Sequence, residues 1–401
     1  MRPLALFGEP PPRVAPAGGA WAGKGFRPFF LLAGLFAALL VPIWLLALSG
    51  LVRPDAYFDA TSWHAHEMVF GLATAVIAGF LLTAVSNWTA RETLVGPPLL
   101  ALAALWTAAR ASFVVPGLPR AIPALLDVAF LPLLALAIAR PLVSAKNRRN
   151  YAMVGVLLAL ACANAVMHLD VLGVLPGLRR RGALFGVDLV VLLIVVISGR
   201  VVPMFTKNAT GVDEVRADPR LERLAIATTA AVALLDVAQP DGDLVVVAAG
   251  AAALATAVRL VHWSTRKVWR VPLLWVLHLG CAFVPLGLAL RVASRLLPTI
   301  PPSLATHALT VGAIGTVVLG MMARVSLGHT GRALEAGRAI SVSFALVVAA
   351  AVVRALGPLV DLSLYRTTLY GAGSLWTAAF AIFSVVYAPI LLSPRRDGKP
   401  G

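Results

Sequence analysis

Apolar runs of membrane-spanning length recur twelve times along this chain, each bounded by charged residues, Pro or Gly. A hydrocarbon core about 30 Å thick takes about 20 helical residues to cross. Within it only helices and closed barrels satisfy their own backbone polar groups. The runs lie near 28–50, 64–88, 94–114, 121–143, 151–172, 184–205, 221–239, 243–262, 270–291, 304–325, 339–360 and 368–392. With 60% hydrophobic and 13% charged residues, the chain is far from a soluble domain, which is about 45–50% apolar and about 25% charged. The fold class is therefore an all-α polytopic membrane protein, a bundle of twelve transmembrane helices over 28–392 with tails at 1–27 and 393–401.

The net charge of +16 is explained by the ends of these runs rather than by nucleic acid. No basic stripe lies on a soluble module, so nucleic acid is not an expected partner and membrane lipid is. Of the 34 Lys and Arg residues, 24 fall in the two tails and in the loops that follow even-numbered spans. Positive residues are retained in the cytoplasm. Both termini are thus expected to be cytoplasmic and the 51–63 loop external. The first 25 residues lack a charged segment followed by an apolar stretch and a cleavage site, so no cleaved signal peptide is expected. Cys162 and Cys281 both fall inside spans, and no CxxCH occurs. Any haem would be non-covalent.

Orientation sorts the histidines. His64 and His66 open span two, His168 closes span five and His307 opens span ten, so all four lie at the outer end of the bundle. Glu67, Asp170 and Asp188 lie at the same end. An ionisable group at such a place is a functional-site candidate, and histidine is the commonest metal ligand. Successive helical residues turn by about 100°, so His64 and His66 point roughly 200° apart and are not expected to share one ion. On an α-helix His64 shares a face with Glu67 and Met68, and His66 shares one with Phe70 and Ile77.

An internal repeat adds a second constraint. Aligning His66 with His307 also matches Gly71 with Gly312, Val76 with Val317, Gly79 with Gly320, Thr89 with Thr330 and Arg91 with Arg332. Span six is a weaker relative, which suggests three groups of four helices. Two parallel helices, each offering a histidine at matching depth, can hold a haem iron axially. His66 and His307 are accordingly the candidate ligands of haem b, with Gly312 and Gly315 making room beside His307.

The segments Phe26-Arg-Pro-Phe-Phe-Leu-Leu-Ala-Gly34, Trp63-His-Ala-His-Glu-Met-Val-Phe-Gly71 and Ala78-Gly-Phe-Leu-Leu-Thr-Ala-Val-Ser-Asn-Trp-Thr89 resemble the NnrS family. So do Gly199-Arg-Val-Val-Pro-Met-Phe-Thr-Lys-Asn208 and the stretch from His307 through Arg324 to Arg332. The resemblance runs nearly end to end. It implies an inner-membrane protein containing haem and copper, connected with nitric oxide and nitrosative stress, with nitric oxide or an iron-nitrosyl species as ligand. For copper the candidates are His64 and His168, since imidazole and the thioether of neighbouring Met167 suit that metal. Glu67, Asp170 and Asp188 are candidate supports for the ligands. Whether such a protein senses, scavenges or reduces nitric oxide stays open. The alternative is a proton-coupled secondary transporter using the same outer histidines. No GxGxxG, Walker loop or HExxH supports nucleotide binding or zinc hydrolysis.

Overall fold

The computed structural model describes residues 19–51, 57–240 and 242–398. Residues 1–18 and 399–401 of the expected tails, and residues 52–56 of the expected outer loop, lie outside the described residues. Twelve long helices follow one another: α1 Phe26–Leu48, α2 Ala60–Thr89, α3 Pro97–Ser112, α4 Ala121–Ser144, α5 Tyr151–Val171 and α6 Arg179–Thr210. The second half holds α7 Pro219–Ala238, α8 Asp243–Trp263, α9 Pro272–Leu296, α10 Pro302–His329, α11 Arg338–Val360 and α12 Tyr365–Leu392. Ten are long and apolar enough to cross a membrane. The exceptions are α3, with 16 residues, and α7, which carries Arg220, Glu222, Arg223 and Asp236.

Helix starts follow from local chemistry. Asp59 accepts hydrogen bonds from the Thr61 and Ser62 amides at the head of α2, and Asp218 accepts one from Arg220 at the head of α7. Prolines stand in the first turn of α3, α7, α9 and α10, where a missing N–H is harmless. Short connections then make consecutive helices antiparallel. α1 packs along α12 and closes the ring, while α2, α6 and α10 touch one another at the centre. The apolar windows of α2 and α10 are each 83% buried, more than those of the other spans, so these two form the core.

Both core helices change pitch at the same place. Residues Glu67–Ala73 of α2 and Ala308–Gly315 of α10 are π-helical, beginning immediately after His66 and His307. These are the positions that the repeat equates, so the internal symmetry extends to a rare backbone feature that is frequent at functional sites. α6 runs through its 32 residues without such a segment among the described residues. The wide turn in α2 misaligns carbonyls, and α3 satisfies them. Trp106 Nε1 donates to Gly71 O at 3.0 Å and Arg110 Nη1 to Phe70 O at 3.4 Å. Thr74 Oγ1 donates to Phe70 O from within α2.

Close helix approach elsewhere depends on glycine, as is usual where lipid supplies no hydrophobic drive between helices. A Cβ on Gly280 of α9 would stand 2.6 Å from Val317 Cγ2, and one on Gly182 of α6 would stand 2.8 Å from the Ala163 carbonyl oxygen of α5. A Cβ on Gly155 of α5 meets nothing within 4 Å. Gly280→Ala and Gly182→Ala should each lower the thermal midpoint of the detergent-solubilised protein, by the equivalent of about 1–3 kcal/mol of overpacking. Gly155→Ala should leave it unchanged or raise it, since alanine favours a helix by about 1 kcal/mol. Equal midpoints for all three variants would remove the close-packing argument.

Candidate cofactor and metal sites

His64, His66, His168 and His307 fall into two groups on opposite sides of α2. The first is a polar cluster built from α2, α3, α4 and α5. His66 is fully buried, with Nδ1 at 2.7 Å from Glu67 Oε1 and Nε2 at 3.1 Å from Asp127 Oδ2 and 2.9 Å from Asn164 Oδ1. His168 Nε2 reaches the same Asp127 Oδ2 at 3.0 Å, and Asn164 Nδ2 donates to that oxygen at 2.6 Å. Arg110 of α3 pairs with both acids, through Nε at 3.0 Å to Glu67 Oε2 and through Nη2 to Asp127 Oδ1. Rings of Phe58, Phe70 and Phe113 pack around His66 and seal the cluster.

Both ring nitrogens of His66 face oxygen acceptors. With a proton on each, His66 and Arg110 carry two positive charges against the carboxylates of Glu67 and Asp127, so the cluster closes neutral. That matters because unpaired charge in a low-dielectric interior is very unfavourable. Tyr57, in the loop before α2, donates its hydroxyl to His168 Nδ1 at 2.8 Å. Burial pushes the Tyr57 phenol up to about 12, so it keeps its proton and turns His168 Nε2 toward Asp127. One donor atom each from His66, Asp127 and His168 lie within 4.8 Å of one another, the grouping of a metal site.

The second site is a cavity of about 480 Å³ on the other side of α2, bounded also by α1, α6, α10, α11 and α12. This volume lies within the usual range for small-molecule sites, about 300–1,000 Å³. His64 and His307 both line it. The His64 ring stacks on Trp44 with centroids 3.9 Å apart, and its Nδ1 is buried without a hydrogen-bond partner. His307 Nδ1 donates to the Ser303 carbonyl at 2.6 Å, which leaves Nε2 as the unprotonated nitrogen. Met68, Trp376 and Leu369 make much of the remaining wall apolar, and Arg354 and Tyr365 add a polar corner.

The expected facing pair, His66 and His307, is not brought together. His66 is enclosed by its own cluster, and the histidine that shares a cavity with His307 is His64. Similarly, His168 is joined to His66 rather than to His64. The reason is the 200° separation read from the sequence, which sends the two α2 histidines to different neighbours. Glu67 falls beside His66 rather than on the His64 face. The space expected beside Gly312 and Gly315 is filled, since a Cβ at either would stand 2.4 Å from Phe283 or Trp376. Ile77 lies in a separate apolar pocket between α2, α6 and α10. Asp170 is paired with Arg179 at 2.7 Å and Asp188 with Arg291 at 3.1 Å rather than with a histidine, and Met167 packs on Gly182.

Arg110, Asp127, Asn164, Tyr57, Arg354 and Tyr365 were not singled out in the sequence. The usable signal was the isolated charge of Arg110, Asp127 and Arg354 inside otherwise apolar runs. Asn164 and His168 also stand four residues apart on one face of α5.

Among curated proteins none matches the chain. The family model described as NnrS protein matches residues 20–395, a span that begins before α1 and ends after α12 and so contains both sites whole. On this match the chain belongs to the NnrS family.

Proposed function

We propose that this multi-pass membrane protein binds haem b and copper in the bacterial inner membrane and acts in the response to nitric oxide and nitrosative stress, with nitric oxide or an iron-nitrosyl species as ligand. Family membership supports the connection to nitric oxide. The observation that carries the cofactor reading is the cavity where His64 and His307 leave unpartnered ring nitrogens in apolar surroundings. Its chemistry fits a haem: two imidazoles for the iron, aromatic and aliphatic walls for the macrocycle, and a volume of suitable size.

In this reading His64 and His307 hold the iron, the Ser303 carbonyl fixes the His307 tautomer, and Trp44 holds the His64 ring in place. Bound haem would supply a redox-active iron; with both imidazoles in place it would suit electron transfer, and gas binding would require one histidine to give up its position. The second metal belongs to His66, Asp127 and His168, whose two imidazoles suit copper among other transition metals, and the family points to copper. A metal held there would take the place of the protons now directed at Asp127; His66 would keep its Nδ1 proton toward Glu67, and His168 would carry its proton on Nδ1 with the Tyr57 oxygen accepting it. Both termini are cytoplasmic, which puts both sites near the outer face.

Alkaline-phosphatase fusions should be active after Asp59 and inactive after Lys207; the opposite pattern would put the sites at the inner face. The reduced-minus-oxidised spectrum of purified protein tests the cofactor directly. A haem band is expected, whereas a featureless spectrum would favour the proton-coupled transporter.

Histidine variants separate the sites. His64→Ala and His307→Ala should each lower haem content by tenfold or more, while His66→Ala and His168→Ala should keep the haem and lose the copper. Haem loss in His66→Ala with normal haem in His64→Ala would restore the pairing read from the sequence.

A further inference from the structure

Arg354 stands near the end of α11, 4% exposed, in the wall of the cavity that His64 and His307 share. Its Nη2 donates to the Tyr365 hydroxyl at 3.0 Å, and its guanidinium lies 5.0 Å from the centre of the Tyr365 ring. Its Nη1 is buried with no hydrogen-bond partner. A buried guanidinium facing only a phenol is uncompensated, because an arginine keeps its charge in any protein and burying charge requires a counter-charge.

The repeat shows what is missing. Arg110 occupies α3, next after His66-bearing α2, and Arg354 occupies α11, next after His307-bearing α10. Arg110 meets Glu67 of α2 and Asp127 of α4. In the second copy Ala308 stands where Glu67 does, and neither α10, α11, α12 nor α1 contains an Asp or Glu. The acid nearest along α6, Asp188, is taken by Arg291. Among the described residues no acid meets Arg354, since Asp361 after α11 is exposed and accepts from the Ser363 amide, so the counter-charge is left to a ligand. Because Tyr365 accepts from Arg354 and still has its own proton to donate, the pair offers two hydrogen-bond donors, the pattern that a carboxylate accepts.

We infer that Arg354 and Tyr365 form the receptor for a carboxylate of the bound cofactor, so that the propionate side of the haem lies at the α11–α12 corner of the cavity. This rests on the haem reading above, and it makes Arg354 the residue that distinguishes an acidic porphyrin from a neutral one.

The test uses the full chain purified free of haem and titrated with haem and with its dimethyl ester, which keeps the iron and the macrocycle but lacks the carboxylate charges. Wild type should bind haem about ten- to a hundredfold more tightly than the ester, the range expected for hydrogen bonds to a charged group. Arg354→Gln should lose this preference, leaving the two affinities within about threefold, because removing both halves of one interaction is not additive. Arg354→Lys, which restores the charge, should keep most of the preference. If Arg354→Gln prefers haem as strongly as wild type, the inference falls and the haem reading stands. If wild type takes up neither porphyrin, both fall.

Discussion

Charge inside a membrane bundle has to be cancelled where it stands, and the two sites differ in whether the protein does this by itself. Arg110, Glu67 and Asp127 are each less than a tenth exposed, and their ion pairs tie α2, α3 and α4 together. His66, Asn164 and His168 extend the network into α5 with every ring nitrogen of the histidines bonded or facing an acceptor. Removing one charged member would leave an uncompensated partner, a loss of about 3–5 kcal/mol in buried pairs. The same arginine also donates to a carbonyl displaced by the π-helical turn of α2, so backbone pitch and charge balance are maintained by one side chain. Across α2 the cavity is the opposite case: His64 Nδ1 and Arg354 Nη1 are left without partners. Buried polar groups in native proteins are nearly always satisfied. The cluster sets its charges against its own acids, whereas in the cavity these two nitrogens face none.

About half a turn of helix separates these environments. His64 and His66 are both helical, in the stretch Ala60–His66 that Asp59 caps, and the pitch widens only at Glu67. A spacing of two in a helix therefore delivers one imidazole to the cavity and one to the cluster. The wider turn then lets Glu67 lie beside His66, where its carboxylate meets Nδ1 instead of following His64 into the cavity.

Much of the fold was legible in the sequence because spanning helices write their length and polarity into local composition. All twelve helices fall on the twelve apolar runs, and the repeat that equates His66 with His307 reappears as paired π-helical segments. Which histidines meet was not legible. Asp127 joins His66 across 61 residues of chain, Asn164 across 98 and Tyr57 joins His168 across 111. No local period encodes such contacts, and they follow from helix order around the ring. The pitch change itself was equally hidden, since its sequence of small and aliphatic residues reads as ordinary helix.

The separation of His66 from His307 has a physical explanation in the symmetry that suggested their pairing. In a ring of repeated helix groups, equivalent residues face equivalent neighbours rather than one another. His66 faces α3, α4 and α5; His307, on α10, accordingly faces α11, α12 and, once the ring has closed, α1. The repeat thus predicts two sites of related construction, each with a histidine at the head of a π-helical segment and an arginine on the following helix. They diverge in who supplies the anion and the second imidazole. In the first, Glu67 and Asp127 are built in and His168 completes the set from α5. In the second, the acids are absent and His64 is borrowed from the opposite side of α2. That borrowing accounts for the second histidine at the head of α2, where the head of α10 has His307 alone.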